Sequence, residues 1–390
     1  MKTKYFANIR KSYGYTFLSW FGITGLWVMY LQTKGLSLVQ VGLCESIFHI
    51  ASFLFEVPSG VLADRFSYKL NLILGRLAVI ISALLMIASH SFWMFALAFV
   101  LNALSYNMKS GTLEALIYDS LKLSDATKKY PKIISNIDVI IEFGDTLGVV
   151  IAGFLVHWHF ELTYIIAMVF GFIGLVTVLV FKEPVQTKKQ ITDKVTTKSI
   201  IVNSYKTLKA NHVLRNLMIF HALFSAVCTA YYYYFQSLME TQHFSGWLIS
   251  GLMVVSAVIN ILGIKFTPQF QECVSKRTLL ISLSFSLVAL LLLSWSALIP
   301  LLVGMFLISQ MLGSMVEPIF SSFYNEMIDS KQRATLLSVA SVLFSAAMII
   351  LFPAVGWLIE VKSFSVAFGI IGVILLGLTL IVWRNIKTVK

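Results

Sequence analysis

The chain has 390 residues, of which 58% are hydrophobic and only 12% are charged. A soluble domain usually carries about 25% charged residues, so this composition, with a mean hydropathy of +0.84, excludes an ordinary soluble protein and indicates a bilayer as the solvent. The formal net charge is +12. Because the basic residues follow the positive-inside rule, this charge does not indicate a nucleic-acid partner.

Twelve segments are long and apolar enough to cross a membrane, since a spanning helix needs about 20 mainly apolar residues. Numbered in chain order, these predicted helices cover residues 12–32, 38–63, 70–89, 92–117, 133–156, 162–181, 213–237, 246–266, 278–297, 299–325, 335–358 and 364–383. They predict an all-α integral membrane protein with twelve transmembrane helices.

The positions of the lysines and arginines indicate the topology. If the N-terminus is cytoplasmic, every Lys and Arg lies on the inner side except Lys34 and Lys362, which lie outside, and Lys109, which lies within predicted helix 4. An odd number of helices would destroy this sorting. We therefore expect a multi-pass protein of the cell membrane with both termini in the cytoplasm.

The two halves of the sequence repeat weakly. Three places match at a constant offset of 203 residues, namely Gly60 with Gly263, 110–117 with 313–320, and 153–157 with 356–360. The offset places Glu114 over Glu317. Such a repeat is typical of transporters built from two six-helix halves in the same orientation, with the substrate site near the midplane between them. We expect halves at 1–181 and 212–390 around a central cavity.

The segment between the halves, residues 182–211, is polar and rich in lysine. Ile201, Tyr205 and Leu208 recur in it at helical spacing, as in an amphipathic helix that lies in the membrane interface. A solvated linker fits the same residues. Either interpretation makes this segment the domain boundary.

A charged patch joins predicted helices 2 and 3. Residues 60–72 read Gly-Val-Leu-Ala-Asp-Arg-Phe-Ser-Tyr-Lys-Leu-Asn-Leu. This resembles the signature loop of the major facilitator superfamily, Gly-x-Leu-Ala-Asp-Arg-x-Gly-Arg-Lys-x-x-Leu, with Ser67 and Tyr68 in place of the second Gly and the Arg. In that family the Asp contacts the start of helix 11, and the Arg pairs with an acid at the inner end of helix 4. The resemblance implies an inner-gate set of Gly60, Asp64, Arg65, Lys69 and Asp119.

Predicted helix 5 carries three acids, Asp138, Glu142 and Asp145, whose spacing places them on one face. A charge at the bilayer centre costs about 2.5–3.5 kcal/mol, so intramembrane acids are functional candidates. Three ionised carboxylates on one stripe repel each other, so at least one is expected to hold a proton near neutral pH. A proton-coupled transporter needs such a group. In the alternative interpretation, Asp138 lies at the inner interface and pairs with Lys132 or Arg76.

Predicted helices 2 and 4 add further polar groups. Glu56 is the deepest acid of helix 2. In helix 4, Lys109 and Glu114 are five residues apart, which turns them by about 140° if the helix is continuous. Glu114 then shares a cavity face with Asn107. Lys109 is expected to neutralise a carboxylate on a neighbouring helix, with helix 5 as the favoured source, or else to bind an anionic substrate.

The second half has one deep acid, Glu317, and the offset maps Asp138 and Glu142 onto Ser341 and Ser345. We hypothesise that the first half handles protons and the second half orients substrate. The proton-coupling candidates are Glu56, Glu114, Asp138, Glu142 and Asp145. The substrate-cavity candidates are Asn107, Lys109, Glu114, Glu317, Ser341 and Ser345.

Small residues also recur along predicted helix 5. The pattern Gly144-x-x-x-Gly148-Val-x-x-Ala-Gly153 is similar to Gly-x-x-x-Gly-Pro-x-x-Gly-Gly of the superfamily's drug/proton antiporters, although Val149 replaces the Pro and Ala152 a Gly. Small residues at this spacing let helices approach closely, which is a sufficient structural reason for the pattern. In predicted helix 7, the aromatic run 231–235 is expected to belong to an interfacial belt.

These features favour a secondary transporter that works by alternating access and exports small amphipathic compounds in exchange for protons. An uptake symporter or a flippase for lipid-like molecules is the alternative within the same fold, and a membrane-embedded enzyme or a channel is the alternative from another class. No phosphate-cradling loop is present, which argues against an internal ATPase. The expected partners are a small-molecule substrate, protons or Na⁺, and the lipid bilayer. We expect a monomer without metal or cofactor.

Overall fold

The computed structural model describes residues 2–65, 67–184, 209, 212–327 and 333–386. Side chains are outside the description at residues 2–4, 57, 60–65, 276, 325–327, 333–338 and 382–386. The helices are α1 Lys2–Ser19, α2 Trp27–Thr33, α3 Leu38–Arg65, α4 Tyr68–Ala88, α5 Phe92–Lys109, α6 Thr112–Lys122, α7 Tyr130–Leu155, α8 Leu162–Leu179, α9 His212–Thr241, α10 Gly246–Cys273, α11 Lys276–Leu293, α12 Ile299–Met327, α13 Arg333–Val361 and α14 Phe364–Ile386. This part of the chain contains no strand, which confirms the all-α prediction.

Nine stretches among the described residues are long and apolar enough to cross a membrane. They are Leu38–Glu56, Tyr68–Ala88, Leu162–Leu179, His212–Thr241, Gly246–Cys273, Arg277–Ser296, Ile299–Tyr324, Val339–Val361 and Phe364–Ile381. The other three predicted spans differ for local reasons. Predicted helices 1 and 4 are each divided in two, and α7 carries three acids.

Predicted helix 1 is interrupted at residues 20–26, between α1 and α2, so the prediction of one continuous helix over 12–32 is wrong. The interruption packs against α7. The Gly22 N–H donates to the Gly144 carbonyl at 3.3 Å, and the backbone of Gly22 approaches Gly148 so closely that a Cβ on Gly148 would overlap it. The small-residue pattern of α7 therefore accommodates a non-helical backbone, and α7 in turn satisfies one of its freed N–H groups.

Predicted helix 4 is interrupted at Gly111, which has a positive φ of 73°. The buried Asn71 of α4 holds this break. Its amide nitrogen donates to the Met108 carbonyl at 3.1 Å and to Thr112 Oγ1 at 2.8 Å, which joins the end of α5 to the start of α6. It also lies 3.3 Å from the Ser59 carbonyl of α3. The expected 140° relation between Lys109 and Glu114 does not apply, because no continuous helix connects them.

The chain forms two compact units. The first comprises Met1–Tyr30, Ile47–Lys194 and Ser245–Ser250, and the second comprises Leu31–Ser46, Val195–Phe244 and Gly251–Lys390. Most of the expected linker, residues 185–208, lies outside the described residues. Its two interpretations, and the boundary that it marks, stay predictions.

Each unit has its own core. In the first unit, buried side chains of α1, α4, α6, α7 and α8 pack together, including Tyr15, Leu72 and Leu116. In the second unit, aromatic rings from α9, α12 and α14 pack together, with the rings of Phe235 and Phe306 stacked at 4.5 Å. Tyr231, Tyr234 and Phe235 are at most 1% exposed. The aromatic run is therefore largely a core element, and the expectation of an interfacial belt is wrong for these three residues.

One pair from the predicted repeat occupies similar settings. In the first unit, Gly153 of α7 packs against Ser250, whose hydroxyl donates to the Val150 carbonyl at 2.7 Å. In the second unit, Gly356 of α13 packs against the Leu38 carbonyl of α3. Both glycines allow a second helix to approach at backbone distance, which is a structural reason for the match at the 203-residue offset.

Candidate functional site

The acidic stripe of α7 lies on the surface of the first unit. Asp138, Glu142 and Asp145 are all exposed, whereas the neighbouring face of the helix is buried at Ile137 and Gly148. Asp145 lies against the interruption of predicted helix 1, where a Cβ on Gly22 would overlap its Oδ1. The stripe therefore runs beside a stretch of non-helical backbone.

Aromatic side chains pack on α7 and on the interruption beside it. Phe143 of α7 stacks on Phe17 of α1, with ring centroids 6.4 Å apart. Trp20, at the start of the interruption, packs edge-on against Tyr106 of α5 at 6.2 Å. Carboxylates beside aromatic faces can hold the charged and the apolar parts of an amphipathic cation.

Two basic residues of the first unit lie below its surface, Arg76 buried and Lys109 half-buried. Arg76 of α4 is 3% exposed, and it donates to the hydroxyls of Tyr15 (3.3 Å) and Ser19. Its guanidinium carbon lies 4.7 Å from the centroid of the Tyr15 ring. Among the described residues, hydroxyls and an aromatic face satisfy Arg76, so the alternative pairing of Asp138 with Arg76 is not observed.

Lys109, at the end of α5, places its Nζ 3.5 Å from the centroid of the Trp20 ring. Such a cation–π contact is worth roughly 2 kcal/mol when desolvated. The Trp20 ring, and not the expected carboxylate of helix 5, is thus the partner of the Lys109 ammonium group. No ion pair joins Lys109 to α7 among the described residues. Lys109 lies within electrostatic range of Arg76 and Glu114, so it forms part of a mixed charge cluster.

The other candidates in the first unit separate into two groups. Asn107 is buried, and its amide donates to Ser52 Oγ at 2.8 Å and to the Ala103 carbonyl at 2.9 Å, so it joins α5 to α3. Glu56 of α3 and Glu114 of α6 are exposed. Glu114 lies in the first turn of α6, where the helix dipole favours a negative charge.

Part of the inner-gate loop can be described. Gly60, Asp64 and Arg65 belong to the last turns of α3, but their side chains are outside the described residues. The predicted contact of Asp64 with the helix starting near Arg333, and that of Arg65 with Asp119, therefore stay predictions.

Tyr68 and Lys69, at the end of this loop, have hydrogen-bond partners that the sequence did not indicate. The Tyr68 hydroxyl donates to Asp119 Oδ2 at 2.9 Å. The N–H groups of Tyr68 and Lys69 donate to the Glu183 carboxylate at 2.9 and 3.0 Å, which caps the start of α4. Lys69 Nζ donates to the Leu179 carbonyl at 2.5 Å. Tyr68, which stands where the signature loop has Arg, thus supplies a described partner for Asp119.

The second unit brings Glu317 of α12 into contact with a residue that the sequence analysis missed. Glu317 Oε2 lies 3.0 Å from Nε2 of His221 on α9. The other ring nitrogen of His221 is 3.1 Å from the Tyr324 hydroxyl. An ionisable residue in a predicted span was the signal that could have identified His221.

Ser341 and Ser345 lie on α13, the first exposed and the second half-buried, and each has interaction partners of its own. The candidate residues therefore gather at three places. These are the acidic stripe of α7, the charge cluster around Lys109, and the His221–Glu317 pair.

Among the described residues, the nine long apolar helical stretches define a multi-pass integral membrane protein. The sequence model of the Major Facilitator Superfamily matches residues 12–270. The chain belongs to the Major Facilitator Superfamily and is a multi-pass integral membrane protein of that family. This confirms the family-level resemblance of the loop at 60–72.

A curated relative from Bacillus subtilis (strain 168), the uncharacterized MFS-type transporter YxaM, is 26% identical over 144 residues. The match covers 37% of this chain and 35% of the relative, so the chain spans about a third of the length of the curated relative.

Solved structures show the same fold. The nucleoside transporter NupG has a TM-score of 0.77 at 16% identity, covering 98% of this chain and 99% of its own. A peptide transporter POT in complex with sulfate has a TM-score of 0.71 at 14% identity and covers 98% and 94%. A D-xylose-proton symporter has a TM-score of 0.68 at 14% identity and covers 98% of each chain. At these identities the likeness shows the fold alone.

Proposed function

We propose that the protein exports small amphipathic compounds in exchange for protons, by alternating access across the cell membrane, with both termini in the cytoplasm. The acidic stripe of α7 is the observation that carries the proposal. Asp138, Glu142 and Asp145 are exposed on a helix that crosses the membrane in this fold. Ionised carboxylates facing lipid would cost about 2.5–3.5 kcal/mol each, so the stripe is best accounted for by a water-filled substrate path.

The aromatic surroundings favour amphipathic substrates. The ring pair of Phe17 and Phe143 includes a residue of α7 itself, and the backbone of Trp20, whose ring packs against Tyr106, lies beside Gly144 of α7. A lipophilic cation would place its apolar part on these rings and its charge near a carboxylate. A proton that binds the same carboxylate displaces the cation, which couples export to proton entry.

The test is a panel of toxic compounds in a bacterial host without its own efflux pumps. The wild-type chain should give resistance to several unrelated amphipathic compounds, and Glu142→Gln should reduce that resistance at least tenfold. Glu272→Gln, at an exposed glutamate near the end of α10, is the matched control and should behave as wild type. Equal resistance from Glu142→Gln and the wild type would contradict the proposal.

Uptake by proton symport is the second candidate, and the buried Arg76 and the half-buried Lys109 favour it for a substrate with an anionic group. The same host distinguishes the two directions of transport. Growth on a single anionic nutrient that requires the wild-type chain, without resistance to any compound, would establish uptake. Lys109→Met should then abolish growth on that nutrient.

A further inference from the structure

The contact between α9 and α12 in the second unit includes three titratable side chains, His221, Glu317 and Tyr324. His221 is 7% exposed, and its Nε2 lies 3.0 Å from Oε2 of Glu317. The side chain of Glu317 is 75% exposed. One end of the pair is therefore enclosed in protein, and the other end is open at the surface of the unit.

Two aromatic residues fix the His221 ring. Phe320 stacks on it at 4.2 Å with an interplanar angle of 8°. The Tyr324 hydroxyl lies 3.1 Å from Nδ1, where it accepts a hydrogen bond from the Nδ1–H of the imidazolium and of the neutral ring that has lost its Nε2 proton. Nε2 faces the Glu317 carboxylate at ion-pair distance and Nδ1 faces the Tyr324 hydroxyl, so proton exchange at Nε2 does not require the ring to turn over.

The other charged groups near this site are few among the described residues. Within α12 the titratable groups that face His221 are Glu317 and Tyr324. Among the described side chains of α13 the acidic one is Glu360. It accepts a hydrogen bond from the Leu38 N–H near the C-terminal end of that helix. The described side chains of α14 are uncharged. Glu317 is therefore the described acidic partner of His221.

We propose that His221 and Glu317 form a proton-carrying site in the second unit, with Tyr324 as the residue that positions the imidazole. In the loaded state, an imidazolium faces a carboxylate. Transfer of the Nε2 proton to Oε2 breaks the N–H bond and forms an O–H bond, leaving a neutral imidazole and a neutral carboxylic acid. The exposed acid then releases the proton to water.

This proposal rests on the proton coupling proposed above. It changes the expected assignment of proton handling to the first half and of substrate binding to the second half. The first half was expected to handle protons, with Glu317 as a substrate residue. Glu317 has the buried imidazole of His221 beside it, with which it can exchange a proton. No such contact is described for the exposed acids of α7. The His221–Glu317 pair also gives the second unit a protonation step of its own.

The first experiment needs no substrate. Histidine labelled with ¹⁵N is incorporated into the full-length chain in lipid nanodiscs, and ring signals are followed from pH 5 to pH 9. His221→Asn identifies the His221 signals. We expect these signals to titrate and their titration midpoint to change in Glu317→Gln. The proposal is overturned if the His221 ring keeps one ionisation state across the range, or if it titrates identically without the carboxylate.

The chain offers a matched control for the substitution. His243 has a positive φ of 52° and follows the end of α9, and asparagine tolerates this backbone conformation well. His243→Asn should leave the His221 titration unchanged. Tyr324→Phe keeps the ring and removes the hydroxyl, so it should alter the tautomer balance of His221 while the ring still titrates.

The second experiment measures transport of tetraphenylphosphonium by proteoliposomes. We expect accumulation driven by a pH gradient to fall at least tenfold in His221→Asn and Glu317→Gln. Exchange of labelled for unlabelled probe at equal pH moves no net proton and should stay within about twofold. Loss of both activities together in Glu317→Gln would indicate a substrate-binding residue and would overturn the proposal.

The two experiments separate this proposal from the proposed export function. If the wild-type chain does not move the probe while the His221 titration depends on Glu317, the export proposal fails and the proton site stands. If the wild type exports the probe and both variants keep gradient-driven transport, the proton site fails and export stands. If His221→Asn does not fold, Glu317→Gln, which changes the exposed end of the pair, carries the test.

Discussion

At the scale of single residues, the ionisable groups of the first unit fall into two kinds. Arg76 is buried and Lys109 half-buried, and both are directed at hydroxyls or aromatic rings, whereas the acids of α7 are exposed. A buried cation in a membrane protein needs a partner, and an aromatic face with hydroxyls supplies one without a second buried charge. The carboxylates therefore stay available for protons or substrate.

A buried amide illustrates how much one residue can hold together. Asn71→Ala should lower the unfolding free energy by about 1–3 kcal/mol, because it leaves the Met108 carbonyl and Thr112 Oγ1 without their donor. Thermal unfolding in detergent measures the loss. Asn136→Ala, at an exposed asparagine with a 3.3 Å contact to Tyr13, should change stability by less than about 0.5 kcal/mol. Equal losses would show that Asn71 does not secure the break.

At the scale of elements, the interruptions of predicted helices 1 and 4 are the main departures from the sequence prediction. Both interruptions lie in runs that hydropathy assigns to one span, since hydropathy reports transfer into lipid and not backbone geometry. Gly111 and the segment at 20–26 are stabilised by other helices, through Asn71 and α7. A single helix could not maintain either break in lipid.

The close approach at Gly148 predicts a packing effect. Gly148→Ala places a methyl group against the backbone nitrogens of Gly22 and Ile23, and overpacking of this kind costs about 1–3 kcal/mol. The substitution should lower the unfolding temperature. Gly251→Ala is the control, because nothing lies within 4 Å of an added Cβ there and alanine favours helix. A Gly148→Ala variant as stable as Gly251→Ala would contradict the described contact.

At the scale of the whole molecule, the sorting of basic residues predicts an orientation that chemical labelling can check. Cys273 is exposed at the end of α10, on the predicted cytoplasmic side, while Cys44 and Cys228 are buried. A membrane-impermeant maleimide should therefore label Cys273 in permeabilised cells only. Lys362→Cys in a Cys273→Ser background should be labelled in intact cells. The reverse pattern would show that the termini lie outside.

The sequence predicted more of the fold than of the site. Composition and long apolar runs were enough for the all-α membrane character, and the loop at 60–72 was enough for the family. The partner of Glu317 was not predicted, because His221 is 96 positions away and no spacing rule connects residues on different helices. The hydrogen bond from Tyr68 to Asp119 was missed because Tyr68 replaces an arginine of the signature loop.

The sequence by itself determined what depends on local chemistry. A bilayer selects helices of sufficient length and apolarity, and it sorts lysine and arginine by side, so both features can be read along the chain. The tertiary structure decided where helices break and which charged groups meet. Gly148 admits the backbone of Gly22 and Asn71 joins α5 to α6 through contacts between distant segments. The His221–Glu317 pair also depends on two helices packing in one register, which no local pattern specifies.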